Sequence, residues 1–160
     1  MEWIYFANVV SGRFLNMTSE DEILLQNARF YEAFEQKSLD DLDDIWSHKD
    51  HVTCVHPGWN VLLGWKEIRQ SWERIFTNEM VTKFSLRNVR ARVLNTIAIV
   101  VLEEEVTFVS GPLAQTRSII ATNIFELEAG KWRMIHHHGS PLASVSSNEG
   151  EEDAYRFRYN

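Results

Sequence analysis

The hydrophobic period of the chain changes from helical to two near residue 50 and returns to helical for one later segment. From Glu20 to Gln36 the residues Ile23, Leu24, Asn27, Phe30, Tyr31 and Phe34 share one stripe at helical spacing. Thr18 or Ser19 can cap that helix, and acidic residues fill its first turn. A shorter helix is expected over Leu39–Trp46, burying Leu42, Ile45 and Trp46 and turning Asp40, Asp41, Asp43 and Asp44 to solvent. Period two then takes over. Val52–His56 reads as a short strand, Pro57–Asn60 as a turn, and Val61–Leu63 as a second short strand. A third helix, Trp65–Thr77, lines up Trp65, Ile68, Trp72, Ile75 and Phe76, with Arg69 at the edge of the stripe.

Beyond Asn78 the pattern predicts four strands, Val81–Leu94, Thr96–Val109, Leu113–Glu128 and Lys131–Ser140. Short turns at Asn95, Ser110-Gly111-Pro112 and Ala129-Gly130 imply an antiparallel meander. Ile97–Leu102 and Ile119–Ala121 do not alternate, so both faces of this sheet need cover. Helices cover one; a second copy of the chain is the expected cover for the other.

Composition narrows the class. The 160 residues suggest one domain, expected over 18–143 and flanked by an N-terminal extension (1–17) and an acidic tail (144–160). Net charge is −7 and the basic residues are scattered, which argues against nucleic acid as a partner. No apolar run is long enough to cross a membrane as a helix, and the single Cys54 excludes an internal disulfide. A cytoplasmic location is expected.

Three successive histidines, His136, His137 and His138, lie on the last strand. Alternation turns His136 and His138 one way and His137 the other. His136 and His138 have the spacing of a two-ligand clamp, but no third ligand is marked nearby and no metal is expected. Phosphate loops, nucleophile elbows and paired-cysteine motifs are absent from the sequence, and no cofactor is expected. Cys54 reads as a buried small hydrophobe. Tyr31 and Asn27 are polar handles on a buried helix face, hence candidates for a cavity. Trp59, in a turn, is a candidate for the rim of an aromatic-walled pocket.

Three stretches carry a resemblance: Phe30–Phe34; His56-Pro57-Gly58-Trp59 with Leu63-Gly64-Trp65; and Gly130–Ser140, which holds the histidines. The chain resembles the SnoaL-like branch of the nuclear-transport-factor-2-like (NTF2-like) superfamily over about residues 18–143. It is also similar to the association (hub) domain of calcium/calmodulin-dependent kinases. The resemblance implies an α+β, cone-shaped half-barrel, with three helices packed in a curved, mainly antiparallel sheet, a pocket at the wide end and dimers formed through the outer sheet face. It further implies that Glu103, Asn123 and His137 face the cavity and that His56 borders it. The hub's arginines are missing at these places, which puts an anion pocket in doubt. Glu103, if buried, should titrate high unless Arg117 or Arg69 pairs with it.

Two functions follow as expectations. One is a homodimeric protein that binds a small apolar or aromatic molecule, with His56, Trp59, Arg69, Asn123 and Asn27 as contacts. The other is a cofactor-independent isomerase, cyclase or dehydratase, in which Glu103 or His137 takes a proton and Tyr31 or His56 steadies the enolate. A third, an assembly module acting through the basic-aromatic end of the tail, rests on residues 155–159.

Overall fold

The computed structural model describes residues 17–142; the expected extension and tail, and the assembly reading that rests on the tail, lie outside the described residues. Three helices precede and interrupt the strands: α1 (Ser19–Gln36), α2 (Leu39–Ile45) and α3 (Trp65–Phe76). The strands are β1 (Thr53–Val55), β2 (Leu62–Leu63), β3 (Val81–Leu94), β4 (Ile97–Ser110), β5 (Leu113–Glu128) and β6 (Lys131–Pro141). Thr18 caps α1, its hydroxyl accepting from the Asp21 amide while the Asp21 carboxylate accepts from the Thr18 amide. Ser38 caps α2 in the same way through the Asp41 amide.

The sheet runs β2-β1-β6-β5-β4-β3 and is unclosed. The meander β3 to β6 forms as expected, every neighbouring pair antiparallel. The pairing of β1 with β6 is parallel, Cys54 lying beside His137. That pairing brings the Val52–His56 segment against the histidine strand. The helices pack on one face, and Ile23, Phe30, Leu42, Ile45, Trp46, Ile68 and Trp72 are sealed there against Val100, Leu102, Phe125 and Met134. The result is the α+β architecture that the resemblance implies.

Two bulges decide which side chains face that core. On β3 one extra residue falls between Arg87 and Arg90, where Asn88 adopts φ 51°. On β6, Ile124 pairs with His136 but the next residue of β5, Phe125, pairs with Met134, leaving Ile135 as the extra residue. An extra residue reverses the in–out phase of a strand. Trp132 and Met134 are buried before the bulge, His137 and Gly139 after it.

The opposite face of the sheet is apolar as well. Ile97, Ile99, Ile120 and Ile124 are half-buried there and Val101 is exposed, with Thr122 among them. Glu105 of the same face pairs with Arg87 at 2.7 Å.

Candidate functional site

Between α1, α3 and the free ends of β4, β5 and β6 the core opens into a cavity of about 280 Å³. Its walls are aromatic: Phe30, Tyr31 and Phe34 from α1, Trp72 from α3, Phe84 from β3 and Phe108 from β4. These rings meet mostly edge to face, Phe34 standing 4.9 Å from Phe84 and Phe30 5.8 Å from Trp72. His56, Pro57 and Trp59 border one side, Arg117 the other.

Five buried side chains with polar groups cross the cavity floor as one network of hydrogen bonds. The Tyr31 hydroxyl donates to Glu104 Oε1 at 2.6 Å. The Asn123 amide donates to Tyr31 Oη at 3.2 Å and to Asn27 Oδ1 at 2.8 Å. Asn123 Oδ1 lies 2.6 Å from His137 Nδ1, which must donate, because that oxygen can only accept. Asn27 and Tyr31 lie one helical turn apart on α1, Asn123 and His137 are register partners on β5 and β6, and Glu104 reaches in from β4. Tyr31 and Glu104 lie 73 residues apart in sequence and Asn27 and Asn123 lie 96 apart; only the tertiary fold joins them.

His56 forms a second cluster. Ser71 Oγ donates its one proton to the Ile68 carbonyl at 2.6 Å, so the 2.8 Å contact with His56 Nε2 requires the imidazole to donate. His56 also lies edge-on to Trp72, 4.5 Å between ring centres, and to Trp59 at 5.0 Å.

Burial sets the charges. It pushes the Glu104 carboxyl up to about 7, with the Tyr31 hydrogen bond holding it from rising further. It lowers His137 to about 3 and His56 to about 4, the neighbouring histidines adding to the first and Arg74 to the second. Both imidazoles are neutral at pH 7. Tyr31 is driven upward by burial and by the Glu104 charge, and Cys54 by burial alone, so neither ionises in the neutral range.

Of the residues picked from sequence, Tyr31, His56, Trp59 and His137 line the cavity, and Asn27 and Asn123 hold its floor. Glu103 does not. It lies on the outer face, because Ala98, Val100, Leu102, Glu104 and Val106 alternate inward along β4. Glu104 takes the place expected of Glu103. The signal was present in the sequence: Val106 and Phe108 share the phase of Glu104, while Glu105 and Thr107 share that of Glu103.

Arg69 is also elsewhere. Its Nε sits 3.1 and 3.2 Å from the two Asp43 carboxylate oxygens, it contacts Glu73, and it ties α3 to α2. Asp43, read from sequence as part of a solvated face, instead serves this joint and also accepts from Trp65 Nε1 at 3.1 Å. His136 and His138 face away from the cavity, His136 Nδ1 meeting Thr53 Oγ1 at 2.6 Å. Among the described residues no group of three or more His, Cys, Asp or Glu side chains is placed to hold a metal ion.

The comparisons with known proteins agree with this geometry. The SnoaL-like domain profile matches residues 23–144. F-box protein SKIP8 of Arabidopsis thaliana is 30% identical over 120 residues, which cover 75% of this chain but 49% of that protein. The chain thus spans about half the length of the curated relative it matches. Among solved structures, a provisionally named dehydratase of the NTF2-like family from Streptomyces avermitilis superposes with a TM-score of 0.73 at 29% identity, covering 78% of this chain and 96% of that one. A provisionally named calcium/calmodulin-dependent protein kinase type II association domain from Thiobacillus denitrificans gives 0.64 at 32% identity, with 74% and 93% covered. The kinase hub of S. rosetta shares the fold at 19% identity, with a TM-score of 0.65 over 79% of this chain and 98% of that one. The chain belongs to the SnoaL-like domain family of the NTF2-like superfamily.

Proposed function

We propose that this domain is a cytoplasmic homodimer whose pocket binds a small, flat, mainly apolar molecule. The observation that supports the pocket is the aromatic-walled cavity of about 280 Å³ closed at its floor by the Glu104–Tyr31–Asn123–His137 chain. Such a cavity gains from burying an apolar ring and has a few fixed polar atoms to orient it. The half-buried isoleucines and Val101 of the outer sheet face support the dimer, since a contiguous apolar face of this kind is stabilised by a second copy. No helix among the described residues is long and apolar enough to cross a membrane.

A panel of small aromatic compounds tested by thermal shift checks the pocket. A ligand that binds only the native state raises the melting temperature with its concentration. No shift from any compound at millimolar concentration would end this reading.

A second reading is proton transfer without a cofactor, by an isomerase, cyclase or dehydratase. It is favoured by one observation: a buried carboxyl, Glu104, held near neutrality and hydrogen-bonded to Tyr31. In this role Glu104 replaces Glu103 as the base. Exchange of solvent deuterium into carbon acids bound in the pocket, lost in Glu104→Gln, is the expected sign.

A further inference from the structure

The direction of each hydrogen bond on the cavity floor limits what a ligand can offer there. Tyr31 spends its proton on Glu104, and His137 spends its Nδ1 proton on Asn123. Asn123 spends both amide protons, on Asn27 and Tyr31. His56 spends its Nε2 proton on Ser71, whose own proton goes to the Ile68 carbonyl. Trp72 Nε1 has no partner among the described residues, but that atom is sealed from the cavity space as well as from solvent.

On the cavity floor, what remains unpaired among the described residues is therefore of one kind. The second oxygen of the Glu104 carboxyl and Nε2 of His137 have no partner, and both side chains line the cavity. Above about pH 7, where Glu104 is ionised, both atoms are acceptors: a carboxylate oxygen, and the lone pair left on a neutral imidazole whose proton sits on Nδ1. Free donors belong to the mouth, where exposed Trp59 carries an indole N–H with no partner among the described residues and Arg117 lies exposed over the Phe108 ring, 6.0 Å from its centre.

We infer that the pocket selects molecules which enter donor first: flat aromatic rings carrying a hydroxyl or N–H that reaches Glu104 and His137. A ring bearing only an acceptor, such as an ether or ketone oxygen, meets two lone pairs and leaves them unsatisfied. Buried acceptors left without a donor are what make a polar site selective, whereas an apolar wall discriminates poorly between isosteres. This inference rests on the pocket-binding reading above and adds the chemistry of the occupant.

The test uses isosteric pairs. Phenol and indole carry the donor; anisole and 1-methylindole have it methylated; acetophenone offers an acceptor alone. Isothermal titration of the native protein at pH 8 is expected to show phenol and indole binding at least about tenfold tighter than their methylated partners. In Glu104→Gln the amide turns an N–H toward the cavity, and the preference is expected to shift toward acetophenone. Tyr31→Phe, which leaves Glu104 its oxygens, is expected to keep the donor preference. Equal binding within each pair, or tighter binding of anisole or acetophenone to the native protein, overturns this inference alone and leaves the pocket reading standing. No binding by any of the five overturns both. The native ratio decides the matter even where a variant fails to fold.

Discussion

The Tyr31 hydroxyl and the Glu104 carboxyl meet at 2.6 Å, 73 residues apart, and each sets the other's ionisation. Burial raises Glu104, and the hydrogen bond limits the rise. Burial and the facing carboxylate raise Tyr31. A buried acid that takes up its proton at about 7 makes folding depend on pH in a direction opposite to a paired surface carboxylate.

That dependence is the first prediction. The folded Glu104 binds its proton more tightly than the unfolded group, whose ordinary value is 4.5. Between about 4.5 and 7 the native state therefore holds more protons, and its stability falls as pH rises through that window. Glu104→Gln removes the effect. Relative to the variant, the native protein is expected to lose on the order of 3 kcal/mol between pH 4.5 and pH 8. Denaturant midpoints of both proteins across that range measure it. A constant difference would mean that Glu104 is not held protonated by the fold. His137 and His56 act in the reverse sense: both are depressed, so their contribution is lost as pH falls below about 6.5 towards 4 and 3.

Asn123 is fully buried and joins three side chains. Asn123→Ala strands the Asn27 oxygen and the His137 Nδ1 proton in the core. The expected cost is on the order of 3 kcal/mol, read from chemical denaturation. The variant should also lose the single tautomer of His137, which nitrogen NMR of the imidazole reports directly. A native-like tautomer signal in Asn123→Ala would show that something other than Asn123 orients the ring.

The outer sheet face tests the dimer. Val101 is exposed at the centre of β4 among Ile99, Ile124 and Thr122. Val101→Glu places a charge on that face without touching the core. Sedimentation velocity is expected to show a dimer for the native chain and a monomer for the variant, with unchanged circular dichroism. A native monomer at micromolar concentration would remove the dimer proposal.

Arg69 supplies a contrast. Its partners Asp43 and Glu73 lie on α2 and α3, away from the cavity lining. Arg69→Ala is expected to leave ligand affinity unchanged and to lower the melting temperature less than Asn123→Ala does, because exposed ion pairs are screened by solvent. A loss of binding in Arg69→Ala would place the residue back in the pocket.

Local pattern determined the elements. The stripe Ile23–Phe34 and the Thr18 cap are sufficient to specify α1, and the tight turns at Asn95 and Ala129-Gly130 specify the antiparallel order. Those signals are local because helix and hairpin periods are set by neighbours in the chain. The β3 bulge also left a mark in the sequence, where the apolar phase moves from Phe84 and Leu86 to Val89, Ala91 and Val93.

The histidine strand is where tertiary structure decided. By strict alternation from Trp132 and Met134, His136 and His138 would share their inward phase; the bulge at Ile135 reverses it and delivers His137 to Asn123. The inward His137 is implied by the family resemblance and not by strand alternation. On β4 the run Ile97–Leu102 is apolar on both faces and carries no phase of its own; the resemblance implies an inward Glu103, and the fold turns Glu104 inward instead. An in–out phase is fixed by what packs against each face, and for β4 and β6 that is α1 on one side and, as proposed, a second chain on the other. Sequence alone determined which segments fold into which elements; packing determined which carboxylate and which histidine the cavity received.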